Sequence, residues 1–115
     1  CTQDNGTGGN DGTFRIGESP ISSLPAKGGN IIVTKGGAAL CVGDSGGAVF
    51  TGEGTRRRVL AVNVRTDPDG AGMSDISRVA SLSSDAAREF LATWLGDHAD
   101  AKICGIGTEH QDCRR

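Results

Sequence analysis

Residues 41–48 read Cys-Val-Gly-Asp-Ser-Gly-Gly-Ala, and the stretch Gly43-Asp44-Ser45-Gly46-Gly47 has the make-up of a nucleophile loop of an acyl-transfer enzyme. A serine hydroxyl is a weak nucleophile at neutral pH. Ser45 therefore needs a tight turn that lets a base reach it and brings backbone N–H groups to the oxyanion formed on attack. Glycines on both sides permit such a turn, and Gly43 can point its N–H into the site with no side chain in the way. The N–H groups of Gly43 and Ser45 are then the two oxyanion donors, and Asp44 is a switch rather than a base. The competing reading is a glycine-rich turn that merely contains Asp-Ser; the flanking strands and Cys41 favour the nucleophile loop.

The loop lies between segments that can hold it. Before it, Thr13 to Gly17 reads as a strand, Pro20 to Leu24 as a second, and Asn30 to Lys35, with Ile31, Ile32 and Val33 inside it, as a better one. After it come a strand from Ala48 to Thr51, a Gly52-Glu53-Gly54-Thr55 turn and a strand from Val59 to Thr66. In the latter, Val59, Ala61 and Asn63 share one face while Leu60, Val62 and Val64 share the other. A last strand falls near Met73 to Ala80. Ser83 or Ser84 caps a helix from Asp85 to Leu95, where Ala87, Phe90, Leu91, Trp94 and Leu95 recur at helical spacing, and Gly96 supplies the stop. Trp94 is on this reading a packing residue. Arg56-Arg57-Arg58, at a hairpin end, reads as a solvated strand edge rather than a recognition patch. Residues 1–12 form an exposed loop whose Asp4, Asn5 and Asp11 lack the ordered spacing of a calcium site.

The chain has 115 residues, of which 36% are apolar, 3% aromatic and 19 glycine, which fits one loop-rich β domain with a thin core. A net charge of −2 argues against nucleic-acid and membrane partners. No run approaches the roughly 20 apolar residues needed to cross a bilayer. Four cysteines, an even number, fit two disulfides and an extracytoplasmic compartment, secreted or periplasmic. Three pairings are open, with Cys104 and Cys113 placed to form a local staple around Gly105-Ile106-Gly107. Neither a metal nor a cofactor is expected, because no Cys-x-x-Cys or Cys/His cluster has ligand spacing. The start at Cys1 fits processing, autolysis or a deliberate cut, with a lipid-anchored N-terminus as the rival.

The loop sequence, Cys41 four positions before the serine, and the strands and helix after it together resemble the trypsin and chymotrypsin family of serine endopeptidases over residues 13–96. The resemblance implies an all-β fold, the C-terminal six-stranded antiparallel β-barrel half of a double barrel, with a C-terminal α-helix. It also implies an autolysis-type loop over 1–12 and leaves a cysteine-stapled polar tail over 97–115. Ala48 stands where the family most often has proline, at the exit from the loop. In that family the serine attacks a peptide carbonyl, a histidine takes its proton, and an aspartate orients the histidine. Asp44 would accept an ion pair from the α-amino terminus released when a zymogen is cut. The cysteine at the Cys41 position usually pairs with one after the second strand; residues 66–73 contain none, and Cys1 is the substitute partner.

The family's histidine and orienting aspartate precede the serine, yet only 44 residues precede Ser45 and none is histidine. His98 and His110 fall after the helix, in a polar tail where histidine is ordinarily solvated. The resemblance thus implies a separate N-terminal protease chain that carries the histidine and aspartate, supplies the amine for Asp44 and covers the thin core. A protease-like binding module that kept the loop without the histidine is the alternative.

The substrate is on this view a peptide or protein. Asn63, Val64 and Arg65 align with the segment that pairs with the substrate backbone, where the family typically has Ser-Trp-Gly. Ala39 occupies the place of the pocket-floor aspartate of trypsin-like members, with Leu40 and Val42 lining the same side. Arg65, in place of a glycine, narrows the pocket or draws an acidic side chain. One register of the Met73–Val79 strand would bring Asp75 to the pocket and restore a preference for basic residues. The expected ranking is small apolar or acidic residues first, basic second.

Overall fold

The computed structural model describes residues 15–41, 43–67, 75–104 and 106. Five strands, β1 (Ile21–Ser23), β2 (Ile31–Lys35), β3 (Ala48–Thr51), β4 (Arg58–Thr66) and β5 (Ile76–Ser81), precede one helix, α1 (Asp85–Asp97). A single 3-10 turn, Gly54–Arg56, joins β3 to β4. The strands form one antiparallel sheet in the order β1-β2-β5-β4-β3. The strand that comes last in sequence is therefore central, which ties the segments before and after the serine loop to one platform.

Alternation explains why β5 takes that place. Its Ser77, Val79 and Ser81 are buried while Ile76, Arg78 and Ala80 are half-buried, the pattern of a strand covered on one face and flanked on both sides. Ile32 lies directly opposite Val79, and these two with Ala61 make the fully buried apolar core, one residue from each central strand. Leu40, Val49 and Leu60 pack against it. Burial of Ile32 and Val79 contributes about 1.5–3 kcal/mol each. Two buried serines beside the core are partnered: Ser77 Oγ accepts the Leu40 N–H at 3.0 Å and Ser81 Oγ accepts the Ser83 N–H at 3.1 Å.

The expectation of a closed six-stranded barrel is corrected: among the described residues there are five strands, and the sheet is open, with β1 and β3 as its edges. Arg15–Gly17, the described part of the expected first strand, is not in the sheet. Isolated bonds hold the segment that follows: Ala38 N–H donates to the Glu18 carbonyl at 2.8 Å and Lys35 N–H to that of Pro20 at 3.1 Å. Pro20 has no N–H for a ladder. β1 breaks register within three residues, and the β3–β4 ladder breaks between Val49 and Phe50. Edges that short and irregular offer no continuous row of groups for one another to pair with.

Ser84 caps α1, its Oγ accepting the Ala87 N–H at 3.3 Å. The helix does not stop at Gly96, as the glycine suggested, but runs to Asp97. A glycine costs about 1 kcal/mol in a helix interior and less at a frayed end. His98 closes the helix instead: its N–H reaches the Leu95 carbonyl and its ring stacks on Trp94 with centroids 3.9 Å apart. Ala87, Leu91 and Leu95 form the half-buried stripe, whereas Phe90 is 67% exposed. Among the described residues no helix is long and apolar enough to cross a membrane.

Candidate active site

Two consecutive turns that share Asp44 build the serine loop. Asp44 N–H donates to the Cys41 carbonyl, and Gly47 N–H donates to the Asp44 carbonyl, each at 3.1 Å. The third residue of each turn is a glycine with positive φ, Gly43 at 103° and Gly46 at 84°, as turns of the type II class require. The spacing Gly-Asp-Ser-Gly is thus the sequence of a double turn that leaves Ser45 at its apex. The sheet anchors both ends of the loop. Leu40, just before it, is fixed by Ser77 of β5 and by the core. Beyond the apex, Gly46 N–H donates to the Asn63 carbonyl at 2.9 Å and Asn63 N–H donates to the Gly47 carbonyl at 2.8 Å.

These bonds commit the N–H groups of Asp44, Gly46 and Gly47. Among the described residues nothing accepts the N–H of Gly43 or of Ser45, the two groups expected to hold an oxyanion. Ser45 itself is exposed, and its Oγ donates to the Val64 carbonyl at 3.2 Å. That carbonyl is aimed by an irregularity in β4: Asn63 faces Val79 and Arg65 faces Arg78, so β4 carries one extra residue, Val64, against β5. Asp44 Oδ2 accepts the Cys41 N–H at 2.8 Å. The carboxylate therefore braces the first turn from within while its other oxygen remains for a second donor.

Of the other expected site residues, Ala39 and Leu40 are half-buried beneath the loop, Asn63 is half-buried with both main-chain groups on the loop, and Val64 and Arg65 are exposed. Val42 lies outside the described residues, as do His110 and the Asp4, Asn5 and Asp11 positions. His98 is not brought to the serine: its Nδ1 lies 2.8 Å from the Trp94 carbonyl, within its own helix. Asp75 does not lie opposite Arg65. It precedes β5 and is exposed, and the residue that faces Arg65 is Arg78.

Sequence reading missed Asp67 and Arg78, because only the register places them together. Arg78 holds Asp67 through Nε at 2.7 Å and Nη2 at 2.6 Å, and Arg65 Nε lies 3.5 Å from the same carboxylate. The signal was available only as two arginines whose strands had to be paired first; like charges directly opposite are unfavourable unless an anion bridges them. The hydrogen bond from Arg78 holds the Asp67 carboxyl below its ordinary value of 3.8, with the charges of Arg78 and Arg65 acting the same way against partial burial. A lowered folded-state pKa gives stability that is present above the unfolded value and is lost as pH falls through the folded one. The stability difference between the wild type and Asp67→Asn should accordingly be constant above about pH 5 and shrink below pH 3.8. Chemical denaturation across that range measures it, and a difference that stays constant to pH 2 would reject the linkage.

Neither Cys41 nor Cys104 is a free thiol. Cys1 and Cys113 lie outside the described residues. Peptide mapping without reduction is expected to recover Cys1 with Cys41 and Cys104 with Cys113; recovery of Cys1 on a peptide foreign to this chain would replace the first bridge by an interchain one.

No protein-family model, no curated protein and no solved structure matches this chain.

Proposed function

We propose that this chain is the nucleophile-bearing half of a trypsin-like serine endopeptidase. Ser45 Oγ attacks the carbonyl carbon of a peptide bond, the N–H groups of Gly43 and Ser45 hold the oxyanion, and the resulting acyl-enzyme is hydrolysed by water. The carrying observation is selective: within the double turn, the N–H groups without an acceptor among the described residues are the two this chemistry needs, and they flank an exposed serine hydroxyl.

The base and its orienting aspartate come, on this proposal, from an N-terminal protease chain outside these 115 residues. Ser45 Oγ then leaves the Val64 carbonyl to donate to the histidine. Exposed apolar side chains on the strands, among them Ile21, Phe50 and Val59, support a protein partner that covers the open sheet. The same proposal makes the compartment extracytoplasmic. Asp44 receives the partner's α-amine on the oxygen not used by Cys41.

One observation favours the second reading, a binding module without catalysis: in this chain the serine hydroxyl rests on a carbonyl and no described histidine is bonded to it. Denaturing mass spectrometry of peptidase-active material separates the two. It should show a second polypeptide containing histidine and aspartate. Hydrolysis by the 115-residue chain alone would make the base internal, with His98 or His110 as the suspects, and would overturn the two-chain assignment.

A further inference from the structure

The cationic cluster on β4 and β5 has more positive charge than its own carboxylate neutralises, and it lies beside the nucleophile. Asp67 is engaged by Arg78 through two nitrogens, at 2.6 and 2.7 Å, that converge on Oδ2, a charge-assisted contact. Arg65 touches the same carboxylate only through Nε at 3.5 Å, and its side chain is 65% exposed, so the spare positive charge of the trio resides on Arg65. The extra residue in β4 fixes where that charge is. Ser45 Oγ is 3.2 Å from the Val64 carbonyl oxygen. The Cα of the next residue in a trans peptide lies about 3 Å from that oxygen. Arg65 Cα is therefore no more than about 6 Å from the nucleophile, and its guanidinium can reach a side chain carried by the residue under attack.

We infer that Arg65 is a specificity-determining residue that selects substrates with an acidic side chain, above all glutamate, on the residue whose carbonyl Ser45 attacks. The inference rests on the endopeptidase reading above and names its substrate class. Asp67 neutralises Arg78, while the substrate carboxylate neutralises Arg65. Ala39 and Leu40, the residues that the resemblance assigns to the pocket floor, carry no charge. A lysine or arginine substrate would meet the uncompensated guanidinium as a like charge.

The test compares kcat/KM of the assembled protein for peptide p-nitroanilides that differ only in the residue before the anilide: Glu, its neutral isostere Gln, Ala and Lys. Glu should exceed Gln by about tenfold or more, the worth of a charge-assisted contact to an accessible arginine, and Lys should be the poorest. Arg65→Ala should bring the Glu/Gln ratio close to one, with kcat/KM for Glu falling far more than that for Gln. Asp67→Asn, which removes the anion and keeps both arginines, should retain or raise the ratio. A loss of hydrolysis of all four substrates in proportion would instead mark Arg65 as structural and overturn the inference. A fluorophosphonate probe on the same samples distinguishes the two levels of failure: Ser45 labelled with a flat Glu/Gln ratio rejects the role of Arg65 alone, whereas no label at Ser45 rejects the endopeptidase reading and this inference with it.

Discussion

Ser45→Ala should lower peptide hydrolysis by the assembled protein by a factor on the order of 10⁶, the scale on which removal of a serine nucleophile acts. The fold should be indifferent to the change. Ser45 is exposed, and its side chain makes one hydrogen bond, to the Val64 carbonyl, so the alanine variant should unfold within about 0.5 kcal/mol of the wild type. The double turn is built from main-chain bonds of Asp44 and Gly47 and from the Asn63 clamp, all of which survive the substitution. An alanine variant that folds normally and keeps peptidase activity would show that the hydroxyl is not the nucleophile, whatever else the protein does.

Asp44→Asn is the sharper probe of how the oxyanion hole is held. The structure displays one task of the carboxylate, in which Oδ2 accepts the Cys41 N–H at 2.8 Å, and the proposed function assigns it a second. An asparagine oxygen can accept the same N–H, so this change preserves the local brace and removes the charge. If the second task is an ion pair with the partner's α-amine, the variant should fold with a nearly unchanged unfolding midpoint and lose about 10²- to 10³-fold in kcat, as when an oxyanion donor is lost. KM should change little by comparison, because the donors act on charge that develops in the transition state. Steady-state kinetics with one peptide anilide, read beside a denaturation curve, suffice. Wild-type turnover in Asp44→Asn would mean that the Cys41 bond alone forms the loop and that no amine is required.

What could be read from the chain followed the distance over which each signal acts. β3 falls at Ala48–Thr51, where the apolar run and following glycines placed it, and α1 begins where Ser84 caps it. Such signals are local: a side chain, its own backbone and the next turn decide them. The serine loop was legible for the same reason, since glycines at 43 and 46 are what two turns sharing Asp44 demand. Closure of the sheet was not legible. It depends on whether the two edge strands meet, and Pro20 together with the broken β1 and β3 ladders leaves them apart. The end of α1 was misplaced by two residues because Gly96 was read alone, whereas His98 and Trp94 cooperate across one turn to finish the helix. Asp75 was considered and Asp67 was not, since a one-residue insertion at Val64 decides which side chains face each other across β4 and β5. Periodicity of two shows which face a residue takes but carries no trace of a bulge that re-aims its partner.

Reaction of the intact protein with a fluorophosphonate, followed by peptide mapping, tests the central claim most directly, because the reagent needs both an activated hydroxyl and an oxyanion hole and needs no knowledge of the substrate. The proposed function requires one equivalent of label per chain, on the peptide containing Gly43 to Gly47, at Ser45, and none in Ser45→Ala. Label on another residue, or none on Ser45 in folded and assembled protein, would contradict it.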